Sequence, residues 1–361
     1  MHWIILTLLI PYIYVLLEVY RSLLKIKPYS AGTISAEFVT IIAACRNEET
    51  NIPLLLRDIT AQDYPREFFE LIVVDDNSVD STYDTAIRSD GIRNIRVIKN
   101  TGEGKKAAIR TGVRVASGNL IITVDADSRM KAGWLRTIIS FYEEEKPDMI
   151  ICPVTLKGGK GFFHRFQELE FLSLQGITAG KAAAGDPVMC NGANLFFTKK
   201  SFEEHSMELH EEFVSGDDIF LLHGIKKDNQ NRILWLESGN AIVTTQTSPS
   251  PRSFLSQRAR WISKAGGYNE NSTRLLALIT LTAVLLQLFT LIGGIFDQKF
   301  LILFASAFTL KSLPDYLILK NTTTRYKREI LMRWFFISQF IYPFYVLAVV
   351  SAFISGKSSS R

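Results

Sequence analysis

Four long apolar runs constrain this chain more than any other feature it has. The first, Trp3 to Leu24, is interrupted by Pro11 and Glu18. At about 1.5 Å per helical residue it reaches across a hydrocarbon core of roughly 30 Å. It has no basic leader and no small-residue cleavage site, so a retained anchor over residues 1–27 is expected rather than a signal peptide. Three further runs, Leu275–Phe296, Phe300–Leu319 and Trp334–Ile354, predict three transmembrane helices over 271–355, with a flexible tail over 356–361. The competing reading, buried core helices that imitate spans, would have to hold for all four runs. Composition sides with the membrane: only 21% of the 361 residues are charged, and the mean hydropathy is +0.12.

Basic residues set the orientation. Arg21, Lys25 and Lys27 follow the first run, and Arg258, Arg260, Lys264 and Arg274 precede the second. Lys320, Arg325, Lys327, Arg328 and Arg333 crowd the last connection against Glu329, whereas the connection between the second and third runs offers only Asp297 and Lys299. Four spans with the polar part on the cytoplasmic side satisfy each of these biases. Lys311 and Asp315 stand one helical turn apart inside the third run. Each would cost about 2.5–3.5 kcal/mol alone at mid-membrane, so pairing or a bundle-facing position is expected. Cys45, Cys152 and Cys190 are too few and too scattered for a disulfide framework or a cysteine zinc site. His164, His205, His210 and His223 show no metal-ligand spacing and read as surface or core residues.

Between the first and second runs lies a polar globular domain, expected over 36–270, in which strand-like and helix-like stretches alternate. That rhythm predicts an α/β domain with a mostly parallel sheet. Phe38–Cys45 is the first strand, followed by Arg46, Asn47 and Glu48; Phe69–Asp75 is the second, running into Asp76. Ile95–Ile98 is a short third strand. Leu120–Asp127 is an apolar run ending in Asp125-Ala126-Asp127, and Met149–Val154 closes the series. Ligands gather at the carboxyl ends of parallel strands, and alternation puts Asp125 and Asp127 on one side of the chain. Two hard oxygen ligands there suit Mg²⁺ or Mn²⁺ against a diphosphate, with an Asp-rich turn capping the next helix as the plain alternative. Gly102–Lys105 is either a phosphate-binding loop carrying Lys105 or an ordinary glycine-rich helix start, since the Walker spacing is absent. Phe162, Phe163, Phe166, Leu169, Leu172 and Leu174, with Gln167, Glu168 and Glu170 between them, suggest an amphipathic helix, packed on the core or lying at the membrane surface.

The motifs in order, ACRNEE (Ala44–Glu49), QDYP (Gln62–Pro65), VVDDNSVDST (Val73–Thr82), GKKAAI (Gly104–Ile109), DAD (Asp125–Asp127), GDD (Gly216–Asp218) and QRARW (Gln257–Trp261), resemble those of membrane-bound family-2 glycosyltransferases. The resemblance implies the nucleotide-diphospho-sugar transferase (GT-A-like) fold. It implies that Asp76, beside Asp75, contacts nucleobase and ribose. Asp127 is then the metal-binding aspartate, Asp125 orients the nucleotide, and Asp218 is the general base. The chain departs from the family at Asp217, where Glu is more usual. Gln257, Arg260 and Trp261 are similar to the motif that closes over diphosphate and acceptor. Met189–Asn194 resembles the segment lining the acceptor side, so Asn191, Gly192, Asn194 and Asp217 are expected there, with Glu48 and Lys105 on the donor side. Other uses remain open for single residues: an ordinary helix cap at Asp217 and Asp218, a headgroup contact for Arg258, an interface anchor for Trp261.

The expectation is an inverting, metal-dependent transferase, integral to a bacterial inner membrane with its catalytic domain cytoplasmic. It would use a nucleotide-diphosphate sugar, UDP-hexose for choice, and Mg²⁺ or Mn²⁺. The acceptor would be a lipid or lipid-linked glycan, and nucleic acid plays no part. The layout of one span before and three after resembles ceramide glucosyltransferases. A processive polysaccharide synthase, a polyprenyl-phosphate sugar synthase and a non-catalytic membrane scaffold are the rivals.

Overall fold

The computed structural model describes residues 2–32, 37–88, 94–205, 216–263 and 270–359. Ala36, His210 and Lys264 lie outside them, and of Asp217 only the backbone is described. In chain order the first elements are α1 (Ile10–Lys25), β1 (Val39–Cys45), α2 (Ile52–Thr60), β2 (Phe69–Asp75), α3 (Thr82–Ile87), β3 (Ile95–Lys99) and α4 (Gly104–Val115). Next come β4 (Leu120–Asp125), α5 (Trp134–Glu145), β5 (Met149–Ile151), β6 (Val154–Lys157), α6 (Phe162–Ala183), β7 (Asn194–Thr198) and α7 (Lys199–His205). The last are α8 (Asp217–Asn229), β8 (Ile233–Trp235), β9 (Val243–Gln246), α9 (Pro251–Ser263), α10 (Asn271–Gly293), α11 (Gln298–Arg325) and α12 (Phe335–Ser359).

They form two compact units, neither of them continuous in sequence. The sheet unit comprises Lys27–Lys157 and Met189–Gln246. Its seven-stranded sheet runs β3-β2-β1-β4-β7-β5-β8, and β6 and β9 make a second, two-stranded sheet. β7 pairs antiparallel with both β4 and β5, and the other pairings are parallel. The central strands are apolar throughout because both sheet faces are covered. Ile41, Ala43, Leu71, Val73, Ile122 and Val124 are buried on one side with Trp134, Ile138 and Phe196. Burying each large side chain contributes about 1.5–3 kcal/mol.

Register decides what reaches the edge. Cys45 pairs with Asp75, Asp75 with Lys99, and Ala44 with Asp125, so four strands end level. β7 runs the other way and begins with Asn194 opposite Val124, which delivers Asn191–Ala193 to the same edge. The stretch expected as one strand, Met149–Val154, is two. Pro153 has no N–H for a ladder, and beyond it the chain changes sheets. Strands β7, β8 and β9 were not expected; they are three to five residues long and without a clear alternation.

The helical unit comprises Met1–Ile26, Gly158–Val188 and Thr247–Arg361. Four of its helical stretches, Trp3–Lys25, Asn271–Gly293, Gln298–Arg325 and Glu329–Gly356, are long and apolar enough to cross a membrane. The expected pairing inside the third is present: Lys311 Nζ lies 2.8 Å from Asp315 Oδ2 and 2.9 Å from Gln339 Oε1, and the Tyr12 hydroxyl donates to Asp315 at 2.6 Å. Of the two placements that the sequence leaves open for α6, the packed one is present. Gln167 and Glu168 are each only 1% exposed. Glu168 accepts from Arg165 and the Gly158 amide and pairs with Arg328, while Gln167 donates to the Ser248 carbonyl. A Cβ on Gly180 would stand 2.6 Å from the Val19 carbonyl oxygen, and one on Gly176 would stand 2.4 Å from Thr322 Oγ1. Backbones approach this closely only where the side chain is missing. α12 continues helical to Ser359, through most of the segment expected as a tail.

Candidate active site

The site is built at the level edge of the sheet, and each strand end turns away from the ladder by a specific device. After β1, Asn47 adopts a left-handed conformation (φ 57°), and Asn77 after β2 does the same (φ 55°). The two loops are laced together. The Asn47 amide donates to Ser78 Oγ at 3.0 Å, the Val79 amide to Asn47 Oδ1 at 2.9 Å, and the Glu48 amide to Thr82 Oγ1 at 2.6 Å. This holds Glu48 beside the strand ends, with its carboxylate accepting from Asn51 Nδ2 at 2.6 Å.

Asp75 and Asp76 are both 4% exposed, with opposite bonding. Asp76 accepts from Asn100 Nδ2 at 2.7 Å and from the Gly104 amide at 2.9 and 3.1 Å, with Arg46 at 3.8 Å. Gly104 has φ +85°, a turn favouring glycine, and this aims its amide at the carboxylate as α4 begins. Asp75 Oδ1 is buried and has no hydrogen-bond partner among the described residues. Asp76 thus braces the loop before α4 through these bonds, and the open acceptor is on its neighbour. Asn100 was missed by sequence reading, although it follows β3 as the acids follow β2 and β4.

Beyond β4 the burial alternates as the pleat requires, with Ala126 inside and Asp125 and Asp127 both half-exposed. Lys105, one residue into α4, hydrogen-bonds Asp125. Asp127 Oδ2 accepts from Thr245 Oγ1 at 2.5 Å. The turn is fixed from behind: Arg129 is bidentate on Asp58 at 2.6 and 2.7 Å, and its backbone exchanges hydrogen bonds of 2.8 and 2.9 Å with Thr244. Gln62 braces the same corner through the Asp58 and Lys131 carbonyls and the Leu135 amide. Thr245 gave no sequence signal, because it lies far along the chain on a four-residue strand.

Negative charge is concentrated here. Burial raises the Asp127 carboxyl above its ordinary range and the Asp125 charge raises it further, against lowering by Thr245, the Gln246 amide and Lys105. Glu48 is raised chiefly by burial, with Asp127, Asp125 and Asp80 adding to it. Hard oxygen donors with excess negative charge fit a divalent cation. Among the described residues no three His, Cys, Asp or Glu side chains converge as a complete ligand set. Asp127 and Asp125 would hold such an ion, Asp125 sharing its carboxylate with Lys105.

The opposite wall comes from α8 and the start of β7. Gly216, at φ 109°, turns the chain into α8. Asp218 Oδ2 accepts from the Gly192 amide at 3.0 Å and Oδ1 from the Ile219 amide at 2.8 Å. A Cβ on Gly192 would lie 3.5 Å from Lys105 Nζ and 3.6 Å from Asp218 Oδ2. Lys105, Asp125, Gly192 and Asp218 are thereby brought together. Asn191 caps its own turn, with Oδ1 accepting from the Ala193 amide at 3.0 Å.

Asn194 corrects an expectation. It is fully buried, accepts from Trp134 Nε1 at 3.0 Å and donates to the Pro153 and Ala241 carbonyls at 2.8 Å. It joins β5, β7 and the approach to β9 from inside and does not face an acceptor. In the helical unit, α9 carries Gln257 and Trp261 half-exposed and Arg260 exposed. Arg258 is 3% exposed, which removes the headgroup reading for it.

Residues 40–206 match the family model described as glycosyl transferase family 2. The chain is 29% identical over 144 residues to a beta-monoglucosyldiacylglycerol synthase of Trichormus variabilis, covering 39% of this chain and 31% of that one. It is 23% identical over 233 residues to the dolichyl N-acetyl-alpha-D-glucosaminyl phosphate 3-beta-D-2,3-diacetamido-2,3-dideoxy-beta-D-glucuronosyltransferase of Methanococcus voltae, covering 61% and 70%. The chain spans 31–40% of the length of the first curated relatives it matches. Among solved structures the fold is similar to the mannosyltransferase PcManGT from Pyrobaculum calidifontis in complex with GDP-Man and Mn²⁺, with a TM-score of 0.62 and 19% identity over 97% of both chains.

Proposed function

From a glycosyl transferase family 2 domain over residues 40–206, we propose that this protein transfers one sugar, with inversion, from a nucleotide-diphosphate donor to a lipid or lipid-linked glycan acceptor. The observation that carries the reading is the convergence of Lys105, Asp125, Gly192 and Asp218 at one sheet edge. Inverting transfer needs a base for an acceptor hydroxyl, a cation for the departing diphosphate, and an acceptor for the nucleobase. Asp218, oriented by the Gly192 and Ile219 amides, is the base. Lys105 faces the diphosphate. Asp75, with its open buried oxygen, accepts from the nucleobase, while Asp76 holds the loop that frames it. Asp127 and Asp125 would hold Mg²⁺ or Mn²⁺, which neutralises the leaving group when bound.

The acceptor class is supported by two relatives whose names specify diacylglycerol and dolichyl phosphate glycan chemistry, and by four helices fit to cross a membrane. The excess of basic residues near Lys27 and between Lys320 and Arg333 supports a cytoplasmic sheet unit. UDP-hexose is the proposed donor. Purified protein in lipid nanodiscs, offered a panel of nucleotide sugars with membrane lipid extract, should release nucleotide from one donor in Mg²⁺ or Mn²⁺ and add a single sugar. Release from no donor in either metal overturns the proposal.

A further inference from the structure

Arg258 lies within the QRARW stretch but is not one of the three residues that the resemblance assigns to donor and acceptor. It is also the most enclosed charge on α9, at 3% side-chain exposure against 7% for its partner Glu170. All three nitrogens of its guanidinium are engaged. Nε and Nη2 make a bidentate pair with Glu170 at 3.0 and 2.5 Å, and Nη1 donates to Gln257 Oε1 at 2.7 Å. Its plane lies over the Trp261 ring at 4.0 Å and the Phe254 ring at 4.7 Å. Glu170, from α6, also accepts from the Tyr345 hydroxyl at 2.9 Å, and Tyr345 stacks on Phe254 with ring centroids 5.3 Å apart. Tyr345 belongs to a helix that can cross a membrane.

We infer that Arg258 is a positioning residue: anchored by Glu170 and Tyr345, it fixes the side-chain orientation of Gln257 and Trp261 for sugar transfer. This rests on the reading of the site given above. The chemistry is specific. With Gln257 Oε1 accepting from Arg258, the amide is fixed in rotation and its N–H donors are held in one direction, which suits a phosphate or sugar oxygen. Trp261 is held between the Arg258 cation at 4.0 Å and the Phe171 ring at 6.4 Å, which fixes the orientation of its half-exposed indole. Only arginine can make the fork to Glu170, reach Gln257 and stack at once; lysine keeps the charge and loses the plane. Because Tyr345 and Glu170 sit on α12 and α6, a change in the packing of the apolar helices reaches Gln257 through two hydrogen-bonded partners.

The test compares Arg258→Lys, Tyr345→Phe and Glu170→Gln with the unaltered protein in nanodiscs, each assayed per folded molecule with melting temperature measured alongside. Arg258→Lys should lower kcat/KM by about 10–100-fold, the scale of misplacing a group near the chemistry. Tyr345→Phe should give a smaller loss of the same kind with little change in melting temperature. Arg258→Lys combined with Glu170→Gln should be no worse than the poorer single variant, since both act through one contact. A purely structural role predicts instead lost folded protein with unchanged kcat/KM, and that result overturns the inference. Should Arg258→Lys fail to fold, Tyr345→Phe decides, and normal kcat/KM there overturns it equally. An unaltered protein that uses no donor removes the functional reading beneath it; an active one with unaffected variants removes only this inference.

Discussion

Asp127 is an acid held where ionisation is unfavourable. Burial and the Asp125 charge raise its carboxyl, and a raised native value sets the sign. The contribution to stability is full below the ordinary carboxylate range and is lost as pH rises through the raised value. At neutral pH the charge therefore works against folding. Asp127→Asn, which can still accept from Thr245, should melt a few degrees higher than the unaltered protein without metal. The gain in melting temperature on adding Mn²⁺ with nucleotide should shrink or vanish. An unchanged Mn²⁺ response would mean that the DAD turn holds no ion. Asp218 fails differently. Asp218→Asn keeps the contact with the Gly192 amide but removes the basic carboxylate, so donor binding by calorimetry should persist while single-turnover transfer falls about 10²–10⁴-fold. Transfer at the original rate would show that another group takes the proton. Asp127 was legible because it follows a strong apolar strand, and Asp218 only through the resemblance of its GDD stretch, since it opens a helix rather than ending a strand. Thr245 was not, and neither was the bond from the Gly192 amide to Asp218, although Gly192 itself was expected on the acceptor side; no local spacing announces a contact 118 or 26 residues away.

At the scale of elements, the parallel half of the sheet could be read from the sequence because β1, β2 and β4 are continuous apolar runs ending in polar residues. Of the other half only β5 could, as the start of Met149–Val154. β8 and β9 are three and four residues long and are set by tertiary contacts, among them the Asn194 side chain, which ties the end of β5 to the approach to β9. Asn194→Ala should orphan Trp134 Nε1 and two carbonyls. Each unsatisfied buried group costs about 1–3 kcal/mol, so the melting temperature should drop sharply while the folded fraction keeps its acceptor KM. A raised acceptor KM with normal stability would restore the role expected of Asn194 from sequence. α6 has the expected apolar periodicity and is packed, but its acids face Arg165, Arg328 and Arg258 rather than water. A sequence pattern cannot separate a polar face turned to solvent from one turned to buried cations.

For the molecule as a whole, the charge bias of the connections makes a prediction that needs no enzyme assay. Cysteines placed at the exposed Asp297 and Lys327, in a background lacking the three native cysteines, should label from opposite sides of sealed vesicles. Lys327 should label only when the cytoplasmic face is open. Labelling of both from one side would contradict the four-span arrangement. The close approach of α6 to its neighbours also has a consequence in time. Val19 meets Gly180, and Thr322 meets Gly176, so the first apolar helix has its partners far downstream. At roughly 5–20 residues per second of synthesis, α1 leaves the ribosome about 10–30 s before α6 exists, and longer before α11. During that interval the polar Tyr12 and Glu18 must be tolerated by lipid or shielded by the insertion machinery. Truncations that end before α11 should therefore be cleared by membrane quality control even when the sheet itself is complete.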